Sequence, residues 1–331
     1  MSDSETDPED SNVNYIPYSQ RPEWSDIEPL KQNDGPYSVV RIAYTEKFSE
    51  TFDYIRACMQ KDEMSQRALE LTKDACQLNP ANYTVWCYRR KLLFHLNSDL
   101  NEELIFIGQL IREHQKNYQV WEHRRLIVEK SQIYNNELRF TSDLLRLDSK
   151  NYHPWQYRQW LLKTFNLWST ELDFVNNMII DDIKNNSAWN QRYFVISQTT
   201  GFTDDIILKE LDYVMNKIRS YPDNESSWNY LRGIARLRTI NDDGKIEQFC
   251  QQMYDEYQQN ECRFLYAYMI ELIDLKCQEE GKKQSECNRL IELCEKLALH
   301  IDPIRKRYWE NIRSRYTDKP LPNHTISASA S

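Results

Sequence analysis

Apolar side chains come along this chain in short blocks at helical spacing, each block followed by a polar break. In NNELRFTSDLLRLD, residues 135–148, Leu138, Leu144, Leu145 and Leu147 recur among polar residues. That pattern predicts an amphipathic helix. A second block, YHPWQYRQWLLKTF, follows Asn151. Asparagine suits the start of that helix, because its side-chain oxygen accepts from a free N–H of the first turn. Pro154 sits in the same first turn, where proline is tolerated. The two blocks together predict one helical hairpin.

The hairpin repeats. Trp86, Trp121, Trp155 and Trp189 stand 35, 34 and 34 residues apart, and Trp228 follows after 39. A period near 34 is that of helix–turn–helix arrays. Asn82, Asn117, Asn151, Asn185 and Asn224 hold the cap position, four residues before each tryptophan. Three residues after each tryptophan comes Arg89, Arg124, Arg158 or Arg192; in the fifth copy Leu231 takes that place and Arg232 follows it. Tryptophan and arginine three apart share a helix face. Their expected role is structural: Trp packs between hairpins, and Arg stacks on it or pairs with an acid of the adjacent helix. Fainter blocks flank these copies. SETFDYIRACMQ pairs with EMSQRALELTKDACQLN at one end, and four further blocks run from GKIEQFCQQMYDEYQ to IRKRYWENIRSRY at the other. The expected fold is all-α: a right-handed α–α superhelix, or solenoid, of about seven hairpins with a concave, partner-binding face.

Composition narrows the function classes. Glycine is scarce, 6 in 331 residues, which argues against phosphate loops and dinucleotide-binding turns. The net charge is -9, but residues 1–36 hold nine acids and two bases, so the rest is near neutral. Acids, Ser, Pro and Asn mark residues 1–36 as a disordered tail. Residues 37–317 form the repeat domain, and 318–331 read as a second flexible tail. A near-neutral body with an acidic leader does not fit a nucleic-acid binder. The eight cysteines include no C-x-x-C pair, and with six scattered histidines they offer no zinc-ligand spacing. No apolar run reaches the length of a membrane span, and MSDSETDPED is no signal peptide. The expectation is a cytoplasmic chain with reduced, mostly buried thiols.

One position does not fit a purely structural account. The residue before each cap is Ala81, Lys116, Lys150, Lys184 and Asp223 in turn. Three consecutive copies place lysine at one phase, and equivalent phases of a solenoid form a row. Each lysine stands at a helix start, where free N–H groups and the dipole favour anions. Tyr83, Tyr118 and Tyr152 follow the caps and can donate to an oxyanion. His153 lies beside the row as a further donor. The same lysines could merely complement the C-terminal dipole of the preceding helix. No nucleophile–base pair stands out.

The ordered units ANYTVWCYRR, KNYQVW, KNYHPWQYRQW, NNSAWNQRYF and NESSWNYL, preceded by PYSVVRIAYTEKF and followed by IRKRYW, resemble the α subunit shared by protein farnesyltransferase and geranylgeranyltransferase type I. The resemblance covers nearly the whole body from about Val40. It implies a crescent of hairpins around a β subunit in an obligate heterodimer. That β subunit would bind the catalytic zinc, with magnesium assisting farnesyl transfer. The reaction implied moves farnesyl or geranylgeranyl from its diphosphate to the cysteine of a C-terminal CaaX sequence. The resemblance further implies Lys150 as the lysine that touches the isoprenyl diphosphate, with Tyr152 beside it. Asn185 would lie at the active-site rim, Tyr118 near the CaaX C-terminus and His153 at the substrate. Lys116 and Lys184 are expected to matter less. The alternatives are a non-catalytic helical-repeat scaffold and the α subunit of Rab geranylgeranyltransferase.

Overall fold

The computed structural model describes residues 15–37, 39, 42–237, 244–256, 262–279 and 284–317. Among them are fifteen α-helices and no strand. The chain divides into two compact units, residues 1–166 and 167–331. In the first, α1 (Glu46–Gln60) packs on α2 (Gln66–Leu78), and α2 pairs with α3 (Tyr83–His95). Two more hairpins follow: α4 (Leu100–Glu113) with α5 (Tyr118–Ser131), and α6 (Glu137–Leu147) with α7 (Tyr152–Phe165). The second unit pairs α8 (Glu171–Asp181) with α9 (Asn186–Gln198), and α10 (Asp204–Ser220) with α11 (Glu225–Ala235). It continues with α12 (Lys245–Glu256) against α13 (Arg263–Glu279), and α14 (Gln284–Lys296) against α15 (Lys306–Ser314). The seven hairpins therefore begin at α2, and α1 is a single leading helix.

The repeated residues explain the hairpins. All five asparagines cap their helices; Asn117 Oδ1, for example, accepts from Gln119 N at 2.9 Å. All five tryptophans are buried. Each indole donates to the main-chain carbonyl six residues earlier, at 2.7–2.9 Å. One side chain thus fills the core and pins the turn that precedes its own helix.

The arginines pair with acids. Arg89 forks onto Glu103 at 2.8 and 2.5 Å, Arg124 onto Glu137 at 2.8 and 2.6 Å, and Arg192 onto Glu210 at 2.7 and 2.7 Å. In each case the acid belongs to the first helix of the next hairpin. Arg89 and Arg124 also reach back to Leu69 O and Leu104 O in the hairpin they leave, both at 2.9 Å. An aromatic ring one turn after each acid covers the guanidinium, with Phe106, Phe140 and Tyr213 centroids at 4.8, 4.0 and 3.7 Å. A second donor reaches each acid from its own hairpin, two residues after the tryptophan: His123 to Glu103, Tyr157 to Glu137 and Tyr230 to Glu210. Buried charges survive only with such pairing and hydrogen bonding. Burial alone would raise the Glu103 carboxyl, but bonds from His123 and Arg89 hold it down at about 2. His123 is driven the other way: burial lowers its pKa to about 4 despite Glu103. Its Nε2 faces Glu103 and its Nδ1 faces Arg90 at 3.2 Å, so the ring is a neutral Nε2–H tautomer.

Residues 15–36 depart from the expected loose tail. Two short 3-10 turns, Tyr18–Gln20 and Pro22–Trp24, lead a segment that buries Tyr18, Trp24 and Ile27. Glu50 of α1 accepts from the Tyr15 hydroxyl and from the Tyr18 and Ser19 main chain, and Arg67 of α2 pairs with Asp26. The polar composition hid three apolar anchors and the acids and bases that hold them. The expectations for residues 1–14 and 318–331 lie outside the described residues. No described helix is long and apolar enough to cross a membrane.

Candidate functional site

The first unit brings several of the expected site residues together at its cap turns. Asp148 Oδ1 accepts from Lys150 N at 3.2 Å, which fixes the turn ahead of the Asn151 cap. Lys150 points out at the surface. Tyr152, the first residue of α7, leaves 57% of its surface exposed, and Tyr118, at the same place on α5, leaves 64%. Large aromatic residues this open are partners in waiting, since the interior usually claims them. His153 is buried between them. Its ring meets Tyr118 edge-on at 4.3 Å, lies parallel to Trp121 at 6.4 Å and touches Tyr152 at 5.7 Å. Burial lowers the His153 pKa, and a hydrogen bond to the main chain at Lys116 opposes that shift only in part. The imidazole is therefore a neutral bridge from one cap turn to the preceding one.

Tyr118, Trp121 and His153 line a cleft of about 440 Å³, together with Gln119, Arg125, Gln156 and Trp160. Sequence reasoning passed over these residues: Gln119, Gln156 and Trp160 do not recur from repeat to repeat, and Arg125, matched by Arg90 one repeat earlier, looked like part of the repeat. It also took Asn151 as a cap alone. The structure confirms the cap, with Oδ1 accepting from His153 N at 3.1 Å. Yet Asn151 is only 4% exposed and its Nδ2 is buried with no acceptor among the described residues. A buried donor left unpaired costs about 1–3 kcal/mol, which an incoming acceptor recovers.

Asn185 belongs to the second unit. It is fully buried, and its Oδ1 accepts from Ser187 N at 3.0 Å. Lys184 has its main chain fixed by Asp182 as Lys150 has by Asp148. The cysteines offer no reactive thiol in the core: burial pushes Cys58, Cys250 and Cys294 up to about 12. Among the described residues no three His, Cys, Asp or Glu side chains converge as metal donors.

A model of the protein prenyltransferase alpha subunit repeat matches residues 65–96, 100–131, 134–165, 168–199 and 207–237. These segments are the hairpins α2–α3 through α10–α11. The chain is 42% identical over 311 residues to the protein farnesyltransferase/geranylgeranyltransferase type-1 subunit alpha of Solanum lycopersicum, covering 89% of each. The chain belongs to the protein prenyltransferase α-subunit family. The Schizosaccharomyces pombe member of the family is 53% identical over 228 residues, covering 69% of this chain and 77% of that one. A solved structure of Candida albicans protein geranylgeranyltransferase-I complexed with GGPP superposes with a TM-score of 0.77 at 34% identity, covering 88% of this chain and 98% of the other. Within this chain, the Trp, Asn and Arg–Glu positions recur in both units. The tyrosines, His153 and the open Asn151 amide are what the first unit adds to them.

Proposed function

We propose that this chain is the α subunit of a heterodimeric CaaX protein prenyltransferase, and that the cap turns of its first unit face the isoprenyl diphosphate. The observation that carries the reading is the cluster at Asn151 on a chain of this family: an unpaired buried amide donor, two exposed tyrosines, helix N-termini and flanking lysines. As the carbon–oxygen bond to the diphosphate breaks, negative charge builds on the leaving oxygens. A lysine ammonium and an amide N–H aimed there stabilise the transition state more than the bound substrate. The helix starts at Tyr118 and Tyr152 add the positive ends of their dipoles. Tyr152 is proposed as a donor to the diphosphate, Tyr118 as a contact for the CaaX end, and His153 as the group that sets the ring positions. Asn185, buried as a cap, is proposed to act at the rim by holding its turn.

Lys150 is the proposed diphosphate lysine. A specific observation favours a second assignment, Lys116. The buried His153 ring holds the main chain of that turn, and Lys116 directly precedes the cap of the helix that Tyr118 opens. Zinc and magnesium belong to the partner and substrate in this reading. This chain's described residues gather no donor set for a metal, and no step here runs through one. The proposed compartment is the cytoplasm, and the proposed partners are a β subunit and CaaX-ended proteins.

The deciding experiment measures prenyl transfer to a CaaX peptide by the chain alone and by the chain co-expressed with a β subunit. Activity in the co-expressed sample alone is expected. A stable heterodimer without activity on farnesyl or geranylgeranyl diphosphate would leave only the scaffold reading.

A further inference from the structure

The fifth repeat breaks the frame at one position. Leu231 takes the place that Arg89, Arg124 and Arg192 hold in their repeats and is fully buried. Arg232 follows it, about 100° around the helix, at the place that Arg90 and Arg125 hold in their repeats. It lines a groove of about 480 Å³ formed by α11, α13 and the α15 region. Arg236, Arg305 and Arg315 line the same groove. Its floor is apolar: Ile270, Trp309 and Ile312 are all buried. Glu271 accepts from both Arg232 at 2.6 Å and Arg236 at 3.2 Å, and buried Asp302 accepts from Arg305 at 2.6 Å and from the Trp309 indole at 2.9 Å. These acids hold the arginine forks in place while most of the Arg236 side chain, 75%, remains in solvent. Tyr308 is exposed at the rim. Residues 303–316 carry five bases against one acid, in a chain whose net charge is -9.

We propose that this groove seats an acidic segment of the partner subunit, with its carboxylates on the arginine rim and an apolar side chain over Ile270 and Trp309. The assignment rests on the heterodimer reading above. Arginine forks recognise carboxylates bidentately, and Arg, Tyr and Trp are the residues that anchor protein interfaces. Four arginines line the groove against Glu271, Asp274 and the Asp302 beneath Arg305, an excess of one positive charge. That excess suits a short acidic segment, and is far below the charge that holds a nucleic-acid backbone.

The test uses the heterodimer with a β subunit. Arg236→Glu combined with Tyr308→Ala alters two exposed groups, and Arg146→Glu, at an exposed side chain of α6, serves as the control for a reversed charge. The double variant is expected to bind the β subunit roughly tenfold more weakly, with a shallower salt dependence. Turnover per assembled dimer should stay unchanged, as should the melting curve of the free chain. In the wild-type dimer, carbodiimide is expected to join Lys306 to a carboxylate of the partner. Affinity equal to that of the Arg146→Glu control, or a Lys306 cross-link confined to its own neighbour Glu310, overturns the docking assignment and leaves the prenyltransferase reading standing. A wild-type chain that does not bind the β subunit at all overturns both.

Discussion

The cap turns at Asn151 and Asn224 occupy equivalent places in their repeats, one in each unit, and differ in what they leave open. At Asn224 the turn is closed. Its Nδ2 donates to Ile183 O at 2.8 Å, the Ser226 hydroxyl donates to Lys184 O at 3.3 Å, and the first helical residue is Glu225. At Asn151 the same nitrogen has no acceptor among the described residues, a histidine ring fills the place of Ser226, and the first helical residue is an exposed tyrosine. Around both turns the cap and the pinned indole are constant, while the Asn224 repeat carries Leu231 where the earlier ones carry an arginine. A repeat fold thus keeps its architecture at some positions and varies its chemistry at others. The Asn224 turn completes its own hydrogen bonds, and the Asn151 turn leaves one buried donor unanswered.

The largest expected effect tests the constancy of the frame. Arg124→Ala in the first unit and Arg192→Ala in the second each strand a buried glutamate, at about 3–5 kcal/mol. Denaturant unfolding should show similar losses for the two. A loss at one site and none at the other would end the claim that the units share a frame. The next test sharpens the contrast between the turns. Lys150→Ala should lower turnover of the assembled dimer by about 10²–10³, while Lys184→Ala leaves it nearly unchanged. If the loss falls on Lys116→Ala instead, the diphosphate sits one repeat earlier.

A third test uses acidity. His123 titrates near 6.5 when unfolded and at about 4 when buried. Between those values the unfolded state binds the extra proton. Stability is therefore full above the unfolded value and falls as pH drops through the window, by roughly 3 kcal/mol. His123→Gln places there the residue type that Gln191 supplies in a later repeat, and it should flatten that part of the pH–stability curve. An unchanged slope would show that His123 is not the group responsible. The smallest effect belongs to the closed turn: Ser226→Ala should cost about 1 kcal/mol in stability and leave turnover alone.

The hairpins were legible because tryptophan and asparagine recur on a fixed period and act locally. The partner of each arginine was harder to see. Glu103 follows Arg89 by fourteen residues and belongs to the next hairpin, so no local pattern joins them. A signal was nonetheless present: Glu103, Glu137, Glu171 and Glu210 are each followed three residues later by an aromatic. Tyr118, Tyr152 and His153 were legible as a group from the cap phase. The open Asn151 amide was not, because Asn224 carries the same residue and satisfies it. The docked segment 15–36 was misread because Tyr18, Trp24 and Ile27 are too widely spaced to show a period.

The clamp also sets an order of events while the chain is being made. Arg89 is complete in α3 before Glu103 of α4 exists, and Arg124 in α5 before Glu137 of α6. A nascent chain leaving the ribosome therefore ends, at these stages, on an arginine whose acid has not yet been synthesised. At α4, α6 and α10 the arriving acid neutralises the arginine of the hairpin before it, which favours assembly from the N-terminus toward the C-terminus.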